Sequence, residues 1–285
     1  MADGPTLDAI LPGEMAIKAE GVGVKKASLD ASSMFMLAVL AGAFIAMGAV
    51  FATTVTAGSG LPFGISRLLG GVVFSLGLIL VIIAGAELFT GNNLIVMAWA
   101  GRKVSTVRLL RNWVIVYAGN FVGSVATAAL LFLSGQYGLG GGAVGVKALA
   151  IANAKCGLDF VPALFLGVMC NALVCLAVWL SFSARSATDK VMVIVPPIAA
   201  FVAAGFEHCV ANMYFIPSGI FIKQFAPDEF WIDAGVTRDA YPDLTWGGFA
   251  SNLLPVTIGN ILGGAVLVGV VYWFIYLRPR KKAEA

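Results

Sequence analysis

GAELFTGNN (85–93) and GFEHCVANM (205–213) are two polar segments that interrupt two long apolar stretches of this chain. A charged residue at the centre of a membrane helix costs about 2.5–3.5 kcal/mol on insertion scales, so an acid there indicates a structural or functional site. Each stretch is better explained as two half-helices joined by a turn. Such backbone is tolerated at membrane depth where protein buries it or a watery cavity adjoins it.

The rest of the chain has the composition of an integral membrane protein. Of its 285 residues, 60% are hydrophobic and 12% are charged, and the mean hydropathy is +0.94. A soluble domain is about 45–50% apolar and about 25% charged. The net charge of +3 and the short basic clusters argue against nucleic-acid binding. The segment 1–15 has acids in place of a basic n-region, so no cleavable signal is expected.

Six stretches are long and apolar enough to span a membrane as helices, which predicts an all-α membrane protein. They lie at roughly 33–57, 67–100, 109–134, 160–183, 190–222 and 247–277. Thirteen of the 18 Lys and Arg residues fall on the side that holds both termini, so the positive-inside rule predicts cytosolic termini. Residues 7–18 predict a short amphipathic helix, either lying on the membrane or packed under the pore.

The two polar segments belong to a repeat. Glu87 and Glu207, and likewise Asn92 and Asn212, are separated by 120 positions. The motif G-N-x-x-G recurs at 119–123 and 259–263 and favours close helix packing. Two three-helix repeats, about 31–134 and 158–277, would therefore insert with opposite polarity and share a site near the membrane midplane. We expect one channel domain, 31–278, with a cytosolic segment 1–30 and a basic tail 279–285.

The intramembrane acids and the single histidine are the first candidate site residues. Glu87 and Glu207, beside Asn92 and Asn212, are interpreted as structural acceptors for half-helix N–H groups that lack intrahelical partners, with a transport role as the alternative. His208 has a reference pKa near 6.5 and is interpreted as a pore residue that handles protons, although a lone histidine is commonly a satisfied core residue. One histidine cannot build a multi-histidine metal site, so no metal is expected.

Other candidates are neutral, basic or bulky. Thr90 and Asn171 either line the pore or make local hydrogen bonds. Lys155 is either solvated or placed at the pore mouth, where it would attract anions and discourage protonation of a nearby histidine. Four bulky residues are candidates for constrictions or for core packing: Phe74, Leu78, Leu88 and Phe201. Four cysteines without metal-ligand spacing are interpreted as small core residues: Cys156, Cys170, Cys175 and Cys209.

Three motifs together resemble the formate–nitrite transporter family over about residues 30–278. They are ELFT (87–90), CNALVCLA (170–177) and GFEHCVANM (205–213). The resemblance implies an aquaporin-like fold, a homopentamer in the bacterial inner membrane, and one substrate pore in each protomer. It implies no cofactor and no enzymatic activity.

The resemblance also implies roles for individual residues. His208 matches the family's central pore histidine, Thr90 the residue of its Ω-shaped loop, and Asn171 its hydrogen-bonding companion. Lys155 matches the lysine near the outer vestibule. The four constriction positions match Phe74, Leu78, Leu88 and Phe201.

Two signals bear on the substrate, and they disagree. NMYFIPSGI (212–220) looks like the formate channels, whereas Glu87 and Gly91 look closer to the nitrite type. The longer segment favours formate, crossing as an anion or as the neutral acid after proton transfer from His208. Nitrite or hydrosulfide is the alternative within the family. The chain lacks the Asn-Pro-Ala sequence expected of a neutral-solute channel. It also lacks the nucleophile–base pair expected of an intramembrane enzyme.

Overall fold

The computed structural model describes residues 9–278, and within this range the chain forms helices and no strand. Residues 7 and 8 of the predicted amphipathic segment and the tail 279–285 lie outside the described range. Among the described residues, six helices are long and apolar enough to cross a membrane, which confirms the predicted all-α class. They are Ala31–Thr56, Phe63–Gly85, Thr106–Leu133, Phe160–Ser183, Ala187–Ala204 and Trp246–Leu277. The protein is a multi-pass membrane protein.

The second and fifth spans are broken, as predicted. The second runs through the helices Phe63–Phe74 and Leu76–Ile79 and a π-helical turn, Leu80–Gly85. After three residues outside any helix it resumes at Phe89–Asn92 and continues, through a 3₁₀ turn at Asn93–Ile95, to Val96–Ala100. The fifth is Ala187–Ala204, which stops before Gly205, and the chain resumes as Cys209–Phe225.

The two repeats pack in the same way. Ala31–Thr56 lies against Thr106–Leu133, and Phe160–Ser183 lies against Trp246–Ile261. The G-N-x-x-G glycines allow this approach, because a Cβ at Gly123 or Gly263 would overlap a backbone carbonyl of the partner helix. The predicted close helix packing is confirmed. The two broken spans meet each other through Phe63–Phe74 and Ala187–Ala204.

Three helical features were not predicted. Ala143–Cys156 fills the connection between the third and fourth spans and packs against Cys209–Phe225, and Lys155 lies in its last turn. Asp228–Ala234 forms a short helix after the fifth span. The last span becomes π-helical at Leu262–Val270, where a Cβ on Gly264 would collide with the Asn171 amide. A π-helical turn of this kind commonly marks a functional site.

The N-terminal helix is Pro12–Ala27, so it begins later and extends nine residues further than predicted. Its glycines lower helix propensity, but Gly23 is needed because a Cβ there would lie 3.2 Å from the Cβ of Ala98. The helix packs against the bundle, through a cluster that contains Met15, Ala16, Ala19, Leu94, Met97, Trp179 and Leu277. Of the two predicted alternatives, packing against the bundle is the one observed.

Candidate functional site

His208 lies at the second helix break and caps the half-helix that follows it. Gly205 adopts φ +79°, a conformation that favours glycine, and turns the chain out of the preceding half-helix. The N–H of Ala211 donates to His208 Nδ1 at 3.0 Å. Since Nδ1 accepts this bond, the neutral ring carries its hydrogen on Nε2.

Thr90 in the first repeat lies against this ring. Its Oγ1 is 3.0 Å from His208 Nε2, so the Nε2–H donates to the hydroxyl. Asn171 adds a second link, because its Nδ2 donates to the Thr90 carbonyl at 3.3 Å and to the Asn260 carbonyl at 2.7 Å. The structure therefore brings together His208, Thr90 and Asn171, which come from three different spans.

Two asparagine side chains stabilise the broken backbone of the second and fifth spans. Asn260 Nδ2 donates to the carbonyls of Gly167 (2.8 Å) and Glu207 (2.9 Å), and its Oδ1 accepts the N–H of Cys209 at 2.9 Å. In the first repeat, Asn120 makes the equivalent bonds to Ala38 O, Glu87 O and Phe89 N at 2.7, 2.9 and 2.9 Å. An amide suits this position because it both donates and accepts. At each break, these bonds satisfy one carbonyl and one N–H that lack helical partners, and the third bond ties the asparagine to a neighbouring helix.

The two acids bind side chains instead of the half-helix N–H groups, so the expected donors were wrong. Glu207 accepts from Lys155 Nζ at 2.7 Å and from Asn212 Nδ2 at 2.6 Å. Asn212 Nδ2 also donates to Asn252 Oδ1, and Asn252 Nδ2 donates to the Lys155 carbonyl at 2.8 Å. A buried carboxylate is stabilised more by a paired cation than by a backbone N–H. The N–H group at each break already donates to the bridging asparagine.

The first repeat contains the same network with a residue that sequence reasoning missed. Lys26 Nζ donates to Glu87 Oε1 at 2.7 Å and to Asn92 Oδ1 at 3.0 Å, while Asn92 Nδ2 donates to Glu87 Oε2 at 2.7 Å. Asn112 makes the hydrogen bonds in this network that Asn252 makes in the second repeat. By sequence, Lys26 is one of the thirteen basic residues expected on the cytosolic side. A usable signal was present, since Lys26 precedes the first span as Lys155 precedes the fourth.

A cavity with a volume of about 430 Å³, called the vestibule below, has His208 in its lining. Five of the predicted site residues line it: Phe74, Lys155, Phe201, Glu207 and His208. The ring centroids of Phe74 and Phe201 are 5.6 Å apart, and Phe201 stacks on the imidazole at 6.0 Å. The other predicted pore residues are at most 2% exposed and do not line this cavity: Leu78, Leu88, Thr90 and Asn171.

The sequence of this chain matches a family model described as formate/nitrite transporter over residues 13–274. The chain belongs to the formate/nitrite transporter family. It is 48% identical to the formate channel FocA of Escherichia coli (strain K12) over 279 residues, which cover 97% of this chain and 98% of that one. It is 46% identical to the formate channel FocA of Haemophilus influenzae, with 92% and 93% covered.

A solved member of the formate/nitrite transporter family has the same fold. A pentameric formate channel with formate bound superposes with a TM-score of 0.83 at 51% identity, covering 87% of this chain and 98% of that one. The family and the named relatives are channels and transporters, not enzymes. The residues described above are therefore candidates for a transport pathway.

Proposed function

We propose that this protein is a pH-sensitive membrane channel for small monovalent anions, with formate as the main substrate. Formate would cross as the anion or as formic acid; in the second case His208 first takes a proton from the solution, then passes it to formate and returns to the neutral ring. The observation that carries the proposal is the His208 ring, which lines the vestibule and hydrogen-bonds to Thr90 of the other repeat. Relatives of this chain that bear the name formate channel support the choice of substrate.

The pathway is proposed to run from the vestibule past four polar residues: Lys155, His208, Thr90 and Asn171. A small anion loses its hydration on entering an apolar constriction, and fixed donors must offset that cost. Constrictions at Phe74, Leu78, Leu88 and Phe201 would exclude hydrated ions. Glu87, Glu207, Asn92 and Asn212 have structural roles at the helix breaks in this proposal, because their polar groups bind one another and the two lysines.

The assembly and topology form part of the same proposal. A homopentamer in the bacterial inner membrane, with an aquaporin-like protomer and both termini in the cytosol, fits the pentameric relative and the distribution of basic residues. The segment 1–30 would be the cytosolic N-terminal part, 31–278 the channel domain in the lipid bilayer, and 279–285 a basic cytosolic tail.

The test is uptake into proteoliposomes of formate, nitrite, hydrosulfide and acetate at two pH values, with two substitutions of the histidine. His208→Asn keeps a side-chain oxygen that can cap the half-helix at Ala211, but it cannot titrate. His208→Leu removes both the cap and the titration. We expect the wild type to carry formate faster at the lower pH, and both variants to lose most of this pH dependence.

The two variants separate proton transfer from folding. His208→Asn should remain as stable as the wild type, whereas His208→Leu should lose about 1 kcal/mol of the free energy of unfolding with the cap. An unchanged pH profile in both would contradict proton transfer at His208. Faster uptake of nitrite or hydrosulfide than of formate would replace formate with that alternative substrate.

A further inference from the structure

The vestibule contains four charged side chains: Arg67, Lys147, Lys155 and Glu207. Lys155 and Glu207 form an ion pair with an N–O distance of 2.7 Å, and their side chains are only 15% and 5% exposed. This pair therefore adds almost no net charge to the cavity. The positive excess that a passing anion meets comes from Arg67 and Lys147.

Arg67 is fixed in place by the end of a half-helix. Its Nε donates to the Ala203 carbonyl at 3.0 Å and its Nη2 to the Val202 carbonyl at 2.6 Å. A cation at a helix C-terminus is favoured by the aligned peptide dipoles, so this position stabilises the guanidinium. A guanidinium has five N–H groups, and the two bonds leave the Nη1 edge available in a cavity-lining, half-buried residue.

Lys147 lies on the helix Ala143–Cys156, two turns before Lys155 and therefore about 12 Å from it along the helix axis. It is half-buried and lines the vestibule. Within residues 9–278 no carboxylate or carbonyl accepts a hydrogen bond from its ammonium group. Unlike Lys155, it is not paired with an acid among the described residues, so a ligand in the cavity meets no neighbouring negative charge there.

We propose that Arg67 and Lys147 form an anion-capture site in the vestibule, which concentrates small monovalent carboxylates before they reach Lys155 and His208. The proposal rests on the proposed function, because the captured ligand is the transported anion. A cavity with apolar walls focuses the field of its charges and can raise on-rates by about 10-fold or more. The Debye length is about 10 Å at 0.1 M salt and about 30 Å at 0.01 M, so salt should weaken the capture.

The experiment measures formate uptake by proteoliposomes against formate concentration, at low and high ionic strength set by an impermeant buffer salt. The variants are Arg67→Gln, Lys147→Gln, the double variant and Arg67→Lys. Lys190→Gln is the matched control, because it removes one positive charge about 20 Å away, near the other end of the half-helix Ala187–Ala204.

We expect each glutamine variant to raise the apparent KM for formate about 3-fold and the double variant about 10-fold, with a smaller change in maximal rate. The double variant should also lose the salt dependence of KM. Arg67→Lys keeps the charge but not the two-point contact with the half-helix, so it should raise KM less than Arg67→Gln does, and Lys190→Gln should show the wild-type KM. Lys147→Gln has no described hydrogen bond to lose, so it tests the proposal even if Arg67→Gln does not fold.

The capture site is wrong if the wild type carries formate and the double variant keeps both its KM and its salt dependence. If the wild type carries nitrite and not formate, the same variants are measured with nitrite, and the substrate assignment alone is corrected. A wild type that carries no anion at all would overturn the proposed function and the capture site together.

Discussion

The two helix breaks have the same hydrogen-bonding arrangement but different roles. Each has a buried glutamate paired with a lysine and an asparagine, and each is held by an asparagine that bridges the broken backbone. Of the nine positions 85–93 and their equivalents 120 residues further on, six differ, and two of these differences bear on the chemistry. Leu88 corresponds to His208, and Thr90 corresponds to Val210. The repeat thus supplies two copies of the scaffold and one copy of the titratable group.

A smaller difference lies in the ion pairs. Lys26 reaches both Glu87 and Asn92, whereas Lys155 reaches only Glu207. Within residues 9–278, the Oδ1 of Asn212 has no hydrogen-bond partner. The second break therefore leaves one amide oxygen unbonded, although its glutamate accepts one more bond, from Asn252 Nδ2 at 3.4 Å. It is also the break that faces the vestibule.

The largest effect should come from removing the bridging asparagines. Asn120→Ala and Asn260→Ala each leave one carbonyl and one N–H of a helix break without a partner in the protein interior, and each also removes a bond to a carbonyl inside a neighbouring helix. At about 1–3 kcal/mol for each unsatisfied group, we expect the free energy of unfolding in mixed micelles to fall by about 4 kcal/mol, within a range of about 2–6 kcal/mol, in both variants. Asn153→Ala, which loses one bond to Leu244 N, is the control and should cost about 1 kcal/mol. Clearly unequal losses for the two bridging residues would mean that the scaffold is not duplicated energetically.

Next in size is the loss of one lysine from either buried ion pair. Lys26→Met and Lys155→Met leave a glutamate unpaired, and we expect each to cost about 3 kcal/mol of stability. The Lys155 variant should lose more, because its side chain is 15% exposed against 28% for Lys26.

Glu207→Gln added to Lys155→Met removes the unpaired charge and should recover most of the loss. Unfolding in mixed micelles measures all three proteins. A larger loss for Lys26→Met would show that its second acceptor, Asn92, outweighs the difference in exposure.

The glycines that end the first half-helices give a smaller contrast. Gly85 and Gly205 have φ of +89° and +79°, where a residue with a Cβ pays about 1–2 kcal/mol. A Cβ at Gly205 would also lie 3.0 Å from Arg67 Nη2, whereas one at Gly85 meets nothing within 4 Å. Gly205→Ala should therefore destabilise the protein more than Gly85→Ala in thermal unfolding. Equal unfolding midpoints for the two variants would show that the Arg67 side chain moves aside without a loss of stability.

The smallest change in stability is expected at the residue that joins the two breaks. Thr90→Val makes the first break resemble the second and removes the partner of His208 Nε2. We expect a loss of about 1 kcal/mol, with formate flux reduced several-fold, since the buried ring loses its acceptor. Thr90→Ser keeps the hydroxyl and serves as the control. Wild-type flux in Thr90→Val would remove Thr90 from the proposed pathway.

Much of this architecture follows from patterns along the chain. Six apolar stretches predicted the spans, and the acids inside two of them predicted the breaks. A charge inside a membrane helix is costly, so its presence can be interpreted from the sequence. The duplicated G-N-x-x-G motif gave the close helix pairs. The helix Ala143–Cys156 was missed because it is too short to span a membrane and its apolar residues are not confined to one long run.

The amino-acid sequence by itself determined the class of the protein, the positions of the spans and the two interruptions, since these depend on hydrophobicity and local propensity. The tertiary structure alone decided which groups meet. Lys26 and Glu87 are 61 positions apart, and Thr90 and His208 are 118 apart. It also paired Lys155 with Glu207 and, within the described part of the chain, placed no acid in an ion pair with Lys147. Hydrogen bonds and ion pairs act only within a few ångströms, so they depend on how the helices pack and not on spacing along the chain.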